Sequence, residues 1–173
     1  MSQAPRTSTW KLKPGDQLSR KLLHRLYAGT QQGGLTASRL INAVFVFVQA
    51  PIASAQVSGK DWSKGNHNYI FDGWVDPSRK VLQYTGSGRT GDQQMSRGNK
   101  SLLEHKAQGT RVHVFTPAEG TITYIGEFEL APRKFVIATA KDQTAKSRKV
   151  IVFFLKPHAS AKVKQLPLSS NPL

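Results

Sequence analysis

The chain has 173 residues, no cysteine, and 25 Lys plus Arg against ten Asp plus Glu, which gives a formal net charge of +15. The absence of cysteine excludes disulfides and thiolate metal sites, and no apolar run, such as 43–48, is long enough to span a bilayer. The excess of cations favours nucleic acid as the partner, because neutralising phosphates releases condensed counterions.

Three segments are predicted along the chain. Residues 1–12 have the composition of a flexible arm and lack the apolar core of a secretory signal. Residues 13–160 contain the periodic apolar patterns of one folded domain. Residues 161–173 are rich in Pro and Ser, which predicts a disordered tail.

A first helix is predicted where four leucines between positions 18 and 26 repeat with helical spacing. Asp16 is the predicted N-cap, and Gly29 is the predicted stop, since glycine tolerates the left-handed conformation that ends many helices. The polar segment 30–36 follows. It is either a plain connector or a loop in which Gln31 and Gln32 read base edges, since glutamine can pair with adenine.

The remaining pattern predicts about seven strands and a second short helix. That helix is capped by Ser96 or Asn99 and runs to about Lys106. A Ser/Ala/Gly-rich loop is predicted at 50–66. No alternating strand–helix series occurs, so the predicted fold is α+β, with a curved, mostly antiparallel sheet or partial β-barrel and short packed helices. The predicted strands are 44–48, 68–75, 81–85, 111–116, 121–130, 135–138 and 150–155.

The segment 84–100 is the most informative stretch, since it combines four glycines and three cations with amide and hydroxyl side chains. Glycines allow close approach of the backbone to a ligand, and the polar groups suit a polyanion with a readable pattern. Positions 86–91 match G-x-G-x-x-G, but the βαβ unit of a dinucleotide fold is missing. Arg111 also stands near the place of the required acid.

Charge is unevenly distributed. Two stretches, 6–39 and 79–111, are strongly basic, while acids recur at Glu119, Glu127 and Glu129. If the basic stretches meet in space, we expect one positive face with these acids on the other side. The cations at the end of the second helix either stabilise its C-terminus or hold a backbone phosphate.

Catalysis within this chain is not predicted. The five histidines are scattered, Asp72 and Asp76 precede Gly and Pro as turn formers do, and no nucleophile elbow occurs. We therefore expect no catalytic residue, no metal site and no cofactor.

The order of motifs resembles the DNA sulfur-recognition domain of McrA-like, phosphorothioate-dependent type IV restriction endonucleases of bacteria, over roughly residues 11–160. The motifs that carry the resemblance are Lys13-Pro14-Gly15-Asp16, Gln31-Gln32-Gly33-Gly34, Phe71-Asp72-Gly73-Trp74, Tyr84-Thr85-Gly86-Ser87-Gly88, Gly91-Asp92-Gln93-Gln94-Met95, Gly98-Asn99-Lys100, Leu103-Glu104-His105-Lys106, Tyr124-Ile125-Gly126-Glu127-Phe128, and Val150–Leu155 with Pro157.

The resemblance implies a non-catalytic, cytoplasmic reader of double-stranded DNA in which a phosphate oxygen is replaced by sulfur. It implies an apolar sulfur pocket at Pro157, cations and a histidine around it, and loops that read the flanking bases. An HNH nuclease, in the same protein or separate, would cut. The implied DNA-binding residues are Gln31, Gln32, Arg89, Ser96, Arg97, Lys100, His105, Lys106, Lys156, Pro157, Ala159 and Ser160.

Other interpretations remain open from the residues alone. A modified-base reader would flip a base into an aromatic cage built from Trp62, Tyr69 or Trp74. A general RNA-binding or ribosome-associated protein would share the charge, and a nuclease would require metal-dependent cleavage.

Overall fold

The structure is a computed structural model that describes residues 6–49, 71–118, 120–142, 144–159, 162–164 and 166–173. Ten elements are found there: β1 Gln17–Leu18, α1 Arg20–Tyr27, β2 Leu35–Ser38, β3 Ala43–Phe47, β4 Gly73–Trp74, β5 Leu82–Thr85, α2 Arg97–Leu103, β6 Arg111–Ala118, β7 Thr121–Lys141 and β8 Ser147–Pro157. The predicted loop at 50–66 and the start of the predicted strand 68–75 lie outside the described residues.

The strands form an open, mixed sheet in the order β2-β3-β6-β7-β8-β5-β4, and β1 pairs with β7. All the described pairings are antiparallel except that of β3 with β6, which is parallel. The predicted α+β class, with a mostly antiparallel sheet and two short helices, is confirmed.

The chain divides into two compact units. The first contains Met1–Val48, Ser96–Glu129 and Pro157–Gln165, and the second contains Gln49–Met95, Leu130–Lys156 and Leu166–Leu173. Strands β7 and β8 contribute residues to both units.

The core of the first unit is built where α1 meets β3 and β6. Leu23 and Tyr27 of the helix pack with Phe45, Phe47 and Phe115, all of which are buried. A helix of only eight residues would be marginal alone. Here it is stable because its apolar side packs against a large apolar surface of the sheet.

The predicted N-cap of α1 is wrong by three residues. The cap is Ser19, whose hydroxyl accepts a hydrogen bond from the Leu22 amide at 3.1 Å. Asp16 instead accepts the Lys13 amide at 2.8 Å within a turn. The reason is tertiary: Gln17–Leu18 pairs with β7 as a strand, so the helix can begin only afterwards.

Two strand predictions also change. The polar segment predicted at 30–36 ends earlier, because Leu35–Ser38 pairs with β3. The two strands predicted at 121–130 and 135–138 are one strand, β7, which continues through Pro132. A proline predicts a break because it lacks an N–H, but Pro132 is exposed and the strand persists on both sides of it.

The second unit has a small apolar cluster of Phe71, Ala140, Val150 and Val152. The segment 166–173, predicted as part of a disordered tail, packs in this unit. The Ser169 amide donates to the Trp74 carbonyl at 2.7 Å.

Candidate nucleic-acid interface

The loop that contains Gln31–Gln32 is held by an arginine of α1. The Arg20 guanidinium lies 3.9 Å from the centroid of the Phe47 ring and also donates to the Gly33 carbonyl. The Phe47 amide donates to the Gly34 carbonyl at 2.9 Å. Both glutamines are exposed, and their side-chain amides have no partner among the described residues. The loop is therefore fixed in place while its two amides stay accessible.

Helix α2 contains the Gly98-Asn99-Lys100 motif directly after its first residue, Arg97. Ser96 is its N-cap residue, but the Ser96 hydroxyl makes no capping hydrogen bond, and Arg97 has a positive φ of 48°. A Cβ at Gly98 would lie 3.0 Å from the Leu35 side chain, so only glycine lets the helix approach β2 so closely. The helix ends at Leu103, earlier than predicted. Its two surface cations are Arg97 and Lys100.

These two cations differ in their surroundings. The Lys100 ammonium lies 3.8 Å from the Glu104 carboxylate, an exposed i,i+4 pair that contributes little to stability. The Arg97 side chain is exposed and has no acidic partner among the described residues. Arg97 is therefore the more available cation of this helix.

His105 is buried, with 4 % of its surface exposed. Its Nδ1 lies 3.0 Å from the Thr110 carbonyl, and burial is the main cause of its lowered pKa. Lys106 next to it is exposed and lies 3.6 Å from the Glu129 carboxylate. The structure thus places the His105 ring in the interior and the Lys106 ammonium at the surface.

The expected separation of acids from cations does not hold in the first unit. Glu129 pairs with Lys106, and Glu127 accepts two hydrogen bonds from the Arg111 guanidinium at 3.0 and 2.6 Å. These hydrogen bonds are the largest cause of the lowered pKa of Glu127. Acids that follow the basic stretches in sequence are brought beside them because β6 and β7 are antiparallel neighbours.

Pro157 is the last residue of β8 and is half-buried. The next amide, that of His158, donates to the Glu127 carbonyl at 3.0 Å, and Ala159 is exposed. Ser160 lies outside the described residues. Lys156 is half-buried and belongs to the second unit.

In the second unit, residues 86–91, here called the glycine loop, are held by side chains outside the predicted binding set. The Gln93 side-chain amide donates to the carbonyls of Gly86 at 2.6 Å and Gly88 at 3.2 Å. The Arg148 guanidinium, which is buried, donates to Gly88 at 2.7 Å and Gly91 at 3.2 Å. These hydrogen bonds to the loop carbonyls fix the backbone conformation of the loop.

A signal for Arg148 was present in the sequence. In a strand, residues two apart face the same side, and Arg148 shares this parity with Val150 and Val152, which are both buried. The alternation along β8 therefore predicts that the Arg148 guanidinium lies on the buried face of the strand. Arg89, at the tip of the glycine loop, is exposed and has no acidic partner among the described residues.

Asp72 is the most perturbed acid of the second unit. Its carboxylate is fully buried and accepts the amides of Gln49 at 2.9 Å and Thr85 at 2.7 Å. Burial raises the pKa of Asp72 to about 7, against the opposing effect of these hydrogen bonds. Asp72 precedes a glycine, which predicts a turn former, whereas in the structure its carboxyl is linked to Thr85 at the end of β5.

Three histidines are interior side chains in the structure. His24 Nδ1 lies 2.9 Å from the Ala28 carbonyl, and His113 Nδ1 lies 2.8 Å from the Tyr124 hydroxyl. Burial lowers the pKa of His113 to about 3 and is also the largest cause of the lowered pKa of His24. Both rings, like that of His105, therefore contribute to packing in the neutral form.

Within the described part of the chain, no group of three or more His, Asp or Glu side chains is arranged to hold a metal ion. No helix among the described residues is both long enough and apolar enough to cross a bilayer.

Comparisons with known proteins place this fold. A family model described as "ScoMcrA-like, SRA domain" matches residues 14–171. No curated protein sequence matches significantly. The structure of the sulfur-binding and SRA domains of ScoMcrA complexed with phosphorothioated DNA is similar, with a TM-score of 0.63 and 19% identity, covering 85% of this chain and 40% of that chain.

Two further structures share the fold. One is the type IV phosphorothioation-dependent restriction endonuclease ScoMcrA, with a TM-score of 0.64 and 18% identity over 93% of this chain and 29% of that one. The other is the SUVH5 SRA domain in complex with hemimethylated CG DNA, with a TM-score of 0.57 and 20% identity over 90% of this chain and 94% of that one. The chain thus spans less than half of either ScoMcrA chain.

The family match confirms the predicted relationship to the DNA-recognition part of McrA-like restriction enzymes, and it specifies the SRA domain as the related part. This chain belongs to the ScoMcrA-like SRA domain family and is a DNA-binding domain of the SRA type.

Proposed function

We propose that this domain reads a chemical modification of double-stranded DNA, and that the modification is a phosphorothioate linkage. The family match supports the proposal, because the family is named for ScoMcrA, a phosphorothioation-dependent enzyme, and a structure of its sulfur-binding and SRA domains together contains phosphorothioated DNA. The net charge of +15 supplies the affinity for phosphates in general.

Sulfur and oxygen can be distinguished by their hydration. A phosphate oxygen is strongly hydrated, and placing it against apolar atoms without a hydrogen bond is costly. Sulfur is larger and more weakly hydrated, so it loses less on the same surface. An apolar contact flanked by cations therefore binds both forms through charge and rejects the oxygen form through desolvation.

The proposed contacts in the first unit follow from exposure. Arg97 and Lys106 bear the surface cations that would hold the modified phosphate, and Gln31–Gln32 would read neighbouring base edges. Pro157 and Ala159 would supply the apolar contact to sulfur, and His105 would support Lys106 from the interior.

A comparison of matched duplexes tests this function. We expect tighter binding to a duplex with one phosphorothioate linkage than to the same duplex without it, measured by fluorescence anisotropy at one salt concentration. The two sulfur diastereomers are measured separately. Equal affinity for the modified and unmodified duplexes would exclude phosphorothioate recognition while leaving general DNA binding intact.

A second candidate is recognition of a modified base. The likeness to the SUVH5 SRA domain, whose structures contain methylated DNA, favours it. In the second unit, the Asp72 carboxyl beside Thr85 is fully buried and accepts two backbone amides, so it offers no open contact to a base in this structure. Trp74 is fully buried, so it does not offer an open stacking surface in this structure. Trp62 and Tyr69 lie outside the described residues.

The two candidates separate in one experiment. A duplex with 2-aminopurine next to the target base brightens when the target base leaves the stack. A brightening with methylated but not with phosphorothioated DNA would favour the modified-base reader. The reverse pattern of affinities, without brightening, would favour the sulfur reader.

We propose that cleavage belongs to another domain or protein, such as an HNH nuclease. The share of the ScoMcrA chains that this chain leaves uncovered is compatible with additional domains in the relatives. The purified chain, incubated with phosphorothioated DNA and Mg²⁺ or Mn²⁺, should leave the duplex intact.

A further inference from the structure

The end of the β7–β8 hairpin is a basic surface that the motif analysis did not select. Between Leu130 and Lys156 the sequence has seven cations and one acid, Asp142. Lys141, Lys146 and Lys149 are exposed at this end of the hairpin. None of the three has an ion pair among the described residues.

The acid of the hairpin is occupied by local hydrogen bonds. Asp142 Oδ1 accepts the amide and hydroxyl of Thr144 at 2.8 and 2.6 Å and the Lys146 amide at 3.1 Å. Asp142 Oδ2 lies 3.4 Å from the Gly91 amide. The carboxylate therefore shapes the turn and ties it to the glycine loop, while the lysine side chains remain exposed.

The glycine loop continues this surface in the same unit. The Lys149 backbone amide donates to Asp92 Oδ1 at 2.8 Å, and the Gln93 backbone amide donates to the Lys149 carbonyl at 2.9 Å. Arg148 binds two loop carbonyls from the inner side. These contacts attach the loop that contains Arg89 to β8, the strand of the hairpin that contains Lys149.

Charge and order together indicate the ligand. The loop and the hairpin end bring five cations together with two carboxylates, so the surface is positive. Its backbone is fixed by hydrogen bonds before any ligand arrives, which lowers the entropic cost of binding. The exposed groups are mainly lysines, which contact phosphates as compact point charges.

We propose that Arg89, Lys141, Lys146 and Lys149, here called the loop–hairpin surface, bind the sugar–phosphate backbone of duplex DNA away from the modified nucleotide. The inference rests on the proposed DNA-reading function and extends it. The loop–hairpin surface contributes affinity and register that are independent of the modification, whereas modification selectivity comes from other residues.

The test compares two triple variants with the same loss of charge. K141Q/K146Q/K149Q removes three cations of the loop–hairpin surface. K11Q/K21Q/R25Q removes three exposed cations of the first unit that belong to no proposed contact. Binding to phosphorothioated and unmodified duplexes is measured from 50 to 300 mM KCl (concentrations chosen around the physiological range of roughly 150 mM).

We expect the slope of log K against log salt to fall in magnitude by about 2 to 3 for the hairpin variant, and by less than about 1 for the control variant. Affinity at physiological salt should fall by roughly tenfold or more for both duplexes, so that their ratio stays that of the unchanged protein. Thermal unfolding checks that the triple variant folds. If it does not, Lys146→Gln alone should lower the slope by about 1.

Two outcomes would overturn the inference. The first is a hairpin variant whose slope and affinity match those of the control variant. The second is a hairpin variant that loses binding to vesicles of anionic phospholipid but keeps its DNA slope, which would assign the surface to a membrane. Failure of the proposed function would be visible separately, as equal affinity of the unchanged protein for the two duplexes.

Discussion

At the scale of single residues, buried polar groups fix the segments around the glycine loop. Asp72 and Arg148 are both almost fully buried, and each joins segments that are distant in sequence. Burying such groups is costly unless their hydrogen-bonding capacity is used. Both residues form hydrogen bonds with backbone groups, which fixes the position of those groups.

Asp72 should make stability depend on pH in a way that can be isolated. Its pKa is about 7 in the folded protein, against an ordinary value of 3.8. The folded state therefore holds a proton that the unfolded state has lost between these values. The free energy of unfolding contributed by this group falls as pH rises from about 4 to 7, by at most about 4 kcal/mol.

The measurement is urea unfolding between pH 4 and 8 for the protein and for Asp72→Asn. The variant keeps only one acceptor oxygen for two backbone amides, so it should be less stable at pH 4, and the two stability curves should converge towards pH 7. Asp76→Asn is the control, because Asp76 is exposed and its pKa is lowered mainly by hydrogen bonds from Ser78. Parallel curves for the protein and Asp72→Asn would contradict the prediction.

At the scale of elements, close backbone approach decides how the C-terminal segment packs. Gly73 in β4 has a φ of +127°, and a Cβ there would lie 2.7 Å from the Ser169 amide nitrogen and 2.9 Å from the Leu168 carbonyl carbon. The segment 166–173 can therefore lie against β4 only because position 73 has no side chain. A composition-based prediction of disorder could not include this contact.

Gly73→Ala should destabilise the protein by about 3 kcal/mol, since it adds steric overlap with backbone to an unfavourable φ. Gly91→Ala is the matched control: its φ is +65°, and nothing lies within 4 Å of the added Cβ. We expect a loss of only about 1 kcal/mol there. Chemical denaturation gives both values, and similar losses for the two variants would show that the segment 166–173 does not press on β4.

At the scale of the whole molecule, the count of 25 Lys and Arg residues overstates the number of cations available to DNA. Lys106, Lys100 and Arg111 each lie beside a carboxylate, whereas Arg97 has no such neighbour among the described residues. Cations that count equally in the sequence therefore contribute unequally to the electrostatic potential at the surface where DNA would bind. The difference can be measured through the salt dependence of binding.

Arg97→Ala should lower the slope of log K against log salt by about 1, the value for one lost phosphate contact. Lys106→Ala should lower it by less, because its ammonium is 3.6 Å from Glu129 and part of its charge is already compensated. Titration of one unmodified duplex at four salt concentrations gives both slopes. An unchanged slope for Arg97→Ala would remove this residue from the proposed phosphate contacts.

The sequence by itself determined the α+β class, most strands, both helices, the excess of positive charge and the family relationship. These depend on local periodicity, composition and the order of motifs, all of which are readable along one chain. The start of α1, the continuity of β7 through Pro132 and the packing of 166–173 were decided by tertiary structure. Each depends on a partner segment that supplies hydrogen bonds from a distant part of the chain.

The candidate site divides in the same way. The sequence selected exposed cations and amides such as Arg97 and Gln31, because their residue types match the chemistry of DNA. Only the structure distinguished the buried His105 from the exposed Lys106 next to it, and only the structure revealed Arg148 beneath the glycine loop. The physical reason is that burial and charge compensation depend on which distant segments pack around a side chain, and residue type alone does not specify those neighbours.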